Sequence, residues 1–568
     1  MYTEFEIREL RLNLPRHRQM VERFLAANGL RLDTVDYYVG VFQLEGEEML
    51  AGGGLSGNVI KCIAVSPDLR DEGLSNRLVS HLISTAHERG YKNVKVFTKP
   101  ANRSIFESLG FRLLAEAPQA ILMETGANGI EDYCRYLRSL RTEGENGVIV
   151  MNANPFTLGH RYLIEQALQK VAHLFVIAVK EEISMFSCHE RLSMIQQGCA
   201  DLQRVTVCEG SDYAISAATF PTYFLKELSE ASDTQMCLDL DLFRRHIMPA
   251  LNATVRFVGS EPTDTLTCRY NELMREMLPR VETIERKTLY GKPVSATEVR
   301  DALDKGSLYR AIPLVPDTTV PYLIVQLAIR ALTLELDTTP KPGLVDRHDN
   351  GAHRDMDYNL MERSIKALHP YFVNVVTTPF TTPQKYVNDL QAIGIQAEKA
   401  MLEATGGVNT HKGAFFSMGI TMAAACISSL DLQTCIKGIA KLFPKAKDTH
   451  GSNAVCQYHI KGALENAVEG YPQLFNDWLP YYRNVCKEPY ALIMTLLRIM
   501  ATLDDTNIYH RTDADTAQWV KRQAEEALMD FSIEKLEAMN REFILRNISP
   551  GGCADMLALT MFIDSITN

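Results

Sequence analysis

Two short stretches carry residue types that could act on a phosphate. The first is Thr157-Leu-Gly159-His160, where the apolar run Gly147 to Met151 gives way to Leu163, Ile164, Ala167, Leu168 and Val171 at helical spacing. This pattern reads as a buried parallel strand, a loop and the start of an amphipathic helix. A helix start offers unpaired N–H groups and the positive end of a dipole, which together favour phosphate. Gly159 lets the backbone approach closely, His160 can donate to charge developing on an α-phosphoryl oxygen, and Thr157 is a second donor. The second stretch, Val294 to Arg300, opens another helix, and its Ser295 and Glu298 fit the capping box S-x-x-E.

The elements that must hold these loops lie in a chain of 568 residues, long enough for three or four domains. Its content of 46% hydrophobic and 23% charged residues is that of a globular protein, and a net charge of -11 without a basic cluster argues against a nucleic-acid partner. The beginning lacks a basic and then apolar leader, and the twelve cysteines form no C-x-x-C pair. The expectation is a cytoplasmic protein with reduced thiols and no membrane partner. The uncharged run Ala414 to Leu430 contains Ser417, Gly419, Thr421, Ser428 and Ser429, and is read as a buried helix.

Along the chain, the expected organisation is an α+β domain over 1–125, a helical linker over 126–146 with its helix at Asp132 to Arg141, a doubly wound α/β domain over 147–315, and an all-α domain over 320–568. In the first, strands at Tyr38 to Leu44, Met49 to Leu55 and Val59 to Val65 precede a helix from Leu74 to Arg89. The turn between them, with Arg70, Gly73 and Ser75, resembles the pyrophosphate-binding loop of GCN5-related N-acetyltransferases, and FESLGF at Phe106 to Phe111 resembles a later segment of that fold. Ser75 is a mild departure. In the α/β domain, strands are expected at Leu174 to Val179, Val205 to Cys208, Gln235 to Leu240 and Thr254 to Val258, with the ligand beyond their carboxyl ends. Lys180 and Arg191, near such ends, could neutralise a triphosphate.

The Thr-x-Gly-His loop followed far downstream by Ser-x-Thr-x-x-Arg resembles the nucleotidyltransferase superfamily. The resemblance implies that Thr157 and His160 hold the α- and β-phosphates of ATP, and Ser295, Thr297 and Arg300 the distal ones. Residues 1 to about 315, with MNANPFTLGHRYLIEQAL, VKEEISMFSCHERL, GSDYAISAATFPTYFLKE, RFVGSEPTDTLTCRYNELM and VSATEVRDAL, are similar to the citrate lyase ligase family. Implied with it are Asn154, Phe156 and Gly159 at the nucleotide, and Asp212, Tyr213, Ser216 and Thr219 at the acetate or adenylate pocket. So too are ATP and acetate as substrates, acetyl-adenylate as intermediate, and citrate lyase, through its acyl-carrier subunit, as partner. The first domain would then hold the CoA-like arm that is acetylated, or transfer an acyl group itself.

In the all-α region, helices are expected at Tyr322 to Leu336, Tyr386 to Thr405, Gly413 to Leu430, Thr434 to Phe443, Ala491 to Leu503 and Ile533 to Asn547. Five loops between them are dense in charge and glycine: Thr339 to Asp346, Asn350 to Asp357, Gly407 to Gly413, Asp504 to Arg511 and Ser549 to Asp555. Asp346, Asp355, Asp505 and Asp555 offer oxygen ligands suited to Mg²⁺, and Lys341, Lys412 and Arg511 offer phosphate partners. TPKPGLVDRHDNGAHRDM, GVNTHKG, DDTN and SPGGCAD resemble the triphosphoribosyl-dephospho-CoA synthase family, which displaces adenine from ATP with a hydroxyl of 3'-dephospho-CoA. The resemblance adds His411, Asn507, Gly551 and Gly552 to the binding set. Glu335, His353, Asp355 and Asp504 are candidates for proton transfer, in no assigned order. Thr512 and Asp513 where a Gly pair is expected, and Cys553 in place of Ser, are departures. Two other readings stay open: a pantetheine-phosphate adenylyltransferase fused to a malonate decarboxylase cofactor synthase, and a non-catalytic maturation scaffold.

Overall fold

The computed structural model describes residues 5–44, 46–69, 73–180, 184–215, 220–221, 223–224, 229–261, 264–427, 431–444, 455 and 457–568. Arg70, Ser216 and Thr219 lie outside them. The chain divides into two units, Met1–Val294 and Ser295–Asn568.

The first unit contains two larger sheets. Strands β1 (Phe5–Glu9), β2 (Tyr37–Gln43), β3 (Met49–Ser56), β4 (Val59–Val65), β5 (Asn93–Thr98), β6 (Arg112–Glu116) and β7 (Ile121–Gly126) make one sheet in the order 1-2-3-4-5-7-6. Pairing is antiparallel except between β4 and β5, which run parallel and share only Val59↔Lys95 and Ile60↔Val96. The helix Leu74–Glu88 covers this sheet through Leu74, Leu78, Val79, Leu82 and Ala86, a helical stripe legible in the sequence. The second sheet is parallel: β8 (Asn146–Met151), β9 (His173–Ala178), β10 (Val205–Glu209), β11 (Ala253–Gly259) and β12 (Val281–Ile284), in the order 10-9-8-11-12. The order reverses between β8 and β11, and a crevice at such a switch point is where an α/β sheet binds its ligand.

Two expectations fail here. Gln235 to Leu240 is not a strand; it lies in the helix Ser229–Leu242. Its alternation of Met236, Leu238 and Leu240 with polar residues mimics a strand because the helix is covered on more than one side. Asp241 accepts from the backbone N–H of Glu116 on β6, and Asp239 accepts from that of Ile215. Nor are 126–146 a linker: the helix Gly129–Ser139 buries Ile130, Cys134 and Leu137 and packs on Met248–Leu251.

The second unit begins with helices Ala296–Asp304 and Leu308–Ala311 and continues as an all-α bundle. At its centre the helix Val320–Asp337 packs on Tyr358–Thr377 and on Gly551–Thr567. Asp317–Asp337 is long and apolar enough to cross a membrane, and 61% of an 18-residue apolar window within it is buried inside the protein. Further helices at Pro383–Ala404, Lys412–Ile427, Leu432–Ala440, Ala491–Thr502 and Ile533–Leu545 follow the sequence pattern within a few residues.

Candidate active sites

In the parallel sheet, β8 ends at Met151 and the loop that follows delivers Thr157 to the N-cap of Leu158–Leu168. Thr157 is buried, and its side chain accepts from the backbone N–H of His160 at 3.3 Å. The His160 ring returns the contact: its Nδ1 accepts from the Thr157 backbone N–H at 3.0 Å and lies 2.9 Å from Thr157 Oγ1. A lone pair on Nδ1 leaves the proton of the neutral ring on Nε2. Burial, and then the nearby Arg286, lower the pKa of His160 to about 4. At neutral pH His160 is therefore an uncharged Nε2–H donor. Phe156, fully buried, stacks on this ring at 5.8 Å. Asn154 Oδ1 accepts from the Phe186 N–H and ties the loop to the segment after β9. The carbonyl of Val294 would stand 3.2 Å from a Cβ on Gly159, so glycine suits this close approach.

Arg191 corrects an expectation. Its guanidinium is fully buried and donates to the carbonyls of Asn152, Val179 and Phe186, at 2.9, 2.9 and 3.2 Å, and to the Asn152 side chain. It holds together the loops beyond β8 and β9 rather than a triphosphate. Lys180 is half-exposed and pairs with Asp212 at 2.9 Å. Tyr213 donates to buried Glu124 on β7, joining the two sheets of this unit. Gly73, left-handed at φ 72°, immediately precedes the helix Leu74–Glu88, which contains Ser75 near its start. Arg286, which the motifs did not single out, lies near enough to act on His160 and itself pairs with Glu261.

Ser295 caps Ala296–Asp304, but through the N–H of Thr297 at 3.1 Å, so the expected capping box with Glu298 is not formed. Arg300 donates to Thr297 Oγ1 at 3.0 Å.

In the helical unit a cavity of about 330 Å³ gathers most of the expected residues: Glu335, Lys341, His353, His411, Lys412, Asp504, Asp505, Asn507, Arg511, Gly551, Gly552 and Asp555. Their partners sort them. Lys341, 2% exposed, donates to Glu335 Oε1 at 2.5 Å and to its carbonyl at 2.8 Å, a buried ion pair at the cavity wall. His353 has both ring nitrogens engaged, with Ser549 Oγ at 2.8 Å and Arg511 at 3.5 Å, and burial beside Arg511 lowers its pKa. Arg511 itself donates to the carbonyls of Ala352 and Asn547. Asp504 pairs with Lys521 at 2.7 Å, and Lys412 with Glu398 at 2.5 Å. His411 is different. Its Nδ1 meets Ser364 Oγ at 2.8 Å, Thr410 donates to that hydroxyl, and Nε2 is buried without a partner among the described residues. Burial, then Lys341, lower its pKa to about 4.

The four-aspartate metal set does not assemble. Asp346 spends its carboxylate on Thr339 Oγ1 and on the N–H groups of Lys341, His348 and Asp349, at 2.8 to 3.1 Å, and so shapes its own loop. Asp355 is exposed and 3.9 Å from His353, outside the cavity lining. Asp505 accepts from the N–H groups of Asn507 and Cys553, capping two helices. A Cβ on Gly551 or Gly552 would press on Asn507 or Asp505, and one on Gly413 would fall 2.3 Å from Asp555. These glycines make room for the acidic wall. Burial, then Glu335 and Asp505, push the Asp555 carboxyl well above its ordinary range. Among the described residues no three acidic, His or Cys side chains converge at metal distance.

The sequence model of the citrate lyase ligase C-terminal domain matches residues 146–323, that of ATP:dephospho-CoA triphosphoribosyl transferase residues 321–568, and that of the acetyltransferase (GNAT) domain residues 30–120. Over 317 residues the chain is 41% identical to the citrate (pro-3S)-lyase ligase of Klebsiella pneumoniae, covering 54% of this chain and 92% of that one. It is 32% identical over 276 residues to the probable 2-(5''-triphosphoribosyl)-3'-dephosphocoenzyme-A synthase of Streptococcus mutans serotype c, covering 42% and 93%. The similarly named protein of Salmonella gallinarum is 35% identical over 267 residues, covering 42% and 88%.

Proposed function

This chain belongs to the citrate (pro-3S)-lyase ligase family over its first part and to the ATP:dephospho-CoA triphosphoribosyl transferase family over the remainder, and from that premise we propose that one bifunctional enzyme makes and then charges a single prosthetic arm. The observation that carries the reading is that twelve residues chosen for the second activity line one cavity, while His160 and Thr157 lock together at a separate helix start.

In the ligase reaction a carboxylate oxygen of acetate attacks the α-phosphorus of ATP and pyrophosphate leaves. The arm's thiol then attacks the acetyl-adenylate, giving thioester and AMP. Two anions meet in the first step, so the site must supply donors and cations rather than a base. His160 donates from Nε2 to the α-phosphoryl oxygen, with Thr157 and Arg286 beside it. Ser295, Thr297 and Arg300 take the distal phosphates, and Lys180 stays at the rim. The physiological acceptor is the acyl-carrier subunit of citrate lyase, and the first sheet, with Gly73 and Ser75 at its helix start, is the place for the arm.

In the second reaction a hydroxyl of 3'-dephospho-CoA displaces adenine from ATP. His411 meets that hydroxyl: its neutral ring can accept the hydrogen bond, and arrival of the triphosphate raises its basicity. Lys341, Lys412 and Arg511 face the phosphates, and Asn507 and the Gly551–Gly552 turn the nucleotide. A Mg²⁺ ion held with the triphosphate would supply charge neutralisation there. Asp555, crowded by Glu335 and Asp505, is the carboxylate whose charge such an ion relieves.

Incubation with Mg-ATP and 3'-dephospho-CoA tests this half: free adenine is expected one-for-one with triphosphoribosylated product, and its absence ends the synthase reading. Incubation with ATP, acetate and deacetylated citrate lyase tests the other: AMP is expected only with acetate present.

A further inference from the structure

The first unit holds a cavity of about 500 Å³ that is lined by Asn152, at the start of the loop after β8, but not by Thr157 or His160. It opens at the carboxyl ends of β8, β9 and β10, beside Asn152, Lys180 and Gly210, and runs beneath the helices Ser229–Leu242 and Thr265–Met277. Its inner wall is largely apolar, with Ile177, Ile215 and Met236 among the lining. Into this wall β11 places a charge. Arg256 is 5% exposed, its guanidinium stacks on Phe243 at 4.3 Å, and Nη2 donates to the Tyr270 hydroxyl at 3.4 Å. Its Nε and Nη1 have no hydrogen-bond partner among the described residues.

The nearby acid does not answer it. Asp239 also lines the cavity, but its Oδ1 accepts from the Ile215 N–H at 3.0 Å and its Oδ2 from the Tyr270 hydroxyl at 2.5 Å. Buried N–H donors without an acceptor are costly, and those of a cation more so. Proteins keep such a group where a ligand completes it. The missing partner must be an anion, because a neutral acceptor leaves the charge unbalanced. It must also be of low charge, because the guanidinium shares its wall with Asp239. A phosphate chain fails the second condition, whereas a carboxylate meets both and can accept from the open guanidinium N–H groups.

Resting on the ligase reading, we infer that Arg256 receives the carboxylate of the acid substrate, a short aliphatic acid whose tail lies against Ile215 and Met236. The cavity exceeds what acetate fills, so propionate and butyrate enter as well.

The test is Arg256→Gln and Arg256→Lys in the full chain, with the Michaelis constants for acetate and for ATP measured by pyrophosphate release. The expected result for Arg256→Gln is a rise of at least 30-fold in the acetate constant with the ATP constant within threefold, and an intermediate value for Arg256→Lys. A merely structural arginine would move both constants together, and that result, or an unchanged acetate constant, overturns the inference. Should both variants fail to fold, saturation transfer from the wild-type protein to the acetate methyl protons decides. Competition by propionate but not by the uncharged isostere acetamide supports a carboxylate site, and equal competition or no transfer overturns it. Pyrophosphate release with an unchanged acetate constant would refute this site and leave the ligase standing. Arg256-dependent acetate binding without pyrophosphate release would refute the ligase and leave the site.

Discussion

The proton on His160 is placed by its neighbours. Because the Thr157 N–H already points at Nδ1, the ring can only offer Nε2–H, and because its pKa sits near 4, it offers that donor throughout the neutral range. Replacing it with alanine removes a donor aimed at developing charge, a loss of roughly 100- to 1,000-fold in comparable sites. His160→Ala is therefore expected to abolish acetate-dependent AMP formation at that level while adenine release continues. Loss of both activities in a folded protein would show that the two sites are not separate. For His411 the consequence is one of stability. Its folded pKa of about 4 lies below the ordinary 6.5, so between those values the unfolded chain binds a proton that the folded chain refuses. Stability falls as pH drops through this window, by on the order of 3 kcal/mol from this ring alone. The chain has two tryptophans, Trp478 and Trp519, both in the second unit, so their fluorescence reports its unfolding. The urea midpoint is expected to fall less between pH 7 and pH 4.5 in His411→Gln than in the wild type. Residue type and spacing disclosed His160 as a candidate, and the family resemblance added His411. The same reading placed Arg191 at a phosphate, because sequence shows a cation at a helix start and not the three carbonyls it is spent on.

Whole elements hold these side chains, and glycine marks where they press together. The helix Cys188–Gly198 ends against the loop that carries Phe156: a Cβ on Gly198 would fall 2.4 Å from the buried Phe156 ring, which stacks on His160. Gly198→Ala must displace that ring, so a rise of at least tenfold in the ATP Michaelis constant of the ligase is expected, with adenine release unaffected. The opposite case lies in Pro383–Ala404, where a Cβ on Gly394 meets nothing within 4 Å. Gly394→Ala there trades only backbone freedom, and should stabilise the second unit by about 0.5–1 kcal/mol in the same fluorescence experiment. Some helices of that unit were legible by a single buried stripe, as Leu432–Ala440 with Cys435, Ile436 and Ile439, and others, such as Lys412–Ile427, by the length of their apolar run. Ser229–Leu242 was not, because burial on several sides erases the helical period that a sequence reader counts. The acidic loops were recognisable by composition, but not their purpose. Asp346 and Asp505 hold backbone N–H groups, a use of carboxylate that sequence cannot tell from metal binding.

On the scale of the molecule, family membership and compactness divide the chain at different places. The ligase match extends to residue 323, whereas the first unit ends at Val294. Between them lie Ala296–Asp304 and Leu308–Ala311, which bury Val299, Leu303, Leu308 and Ala311 and are anchored within the helical unit. Arg330 Nε donates to the carbonyl of Asp304 at 3.0 Å, and Leu308–Ala311 packs on Gly551–Thr567. This piece of ligase sequence, with Ser295, Thr297 and Arg300, is thus supported by residues that belong to the other family. A fragment of residues 1–319 would keep the whole ligase motif yet expose side chains worth roughly 1.5–3 kcal/mol each when fully buried. Its helices should fray, and with them the proposed hold on the distal phosphates. The expected outcome is acetate-dependent AMP formation with an ATP Michaelis constant at least tenfold above that of the intact chain, and partial recovery when residues 320–568 are added in trans. Equal constants for fragment and intact chain would show that these helices keep their form without the bundle, and that the fusion joins two independent enzymes rather than one supporting the other.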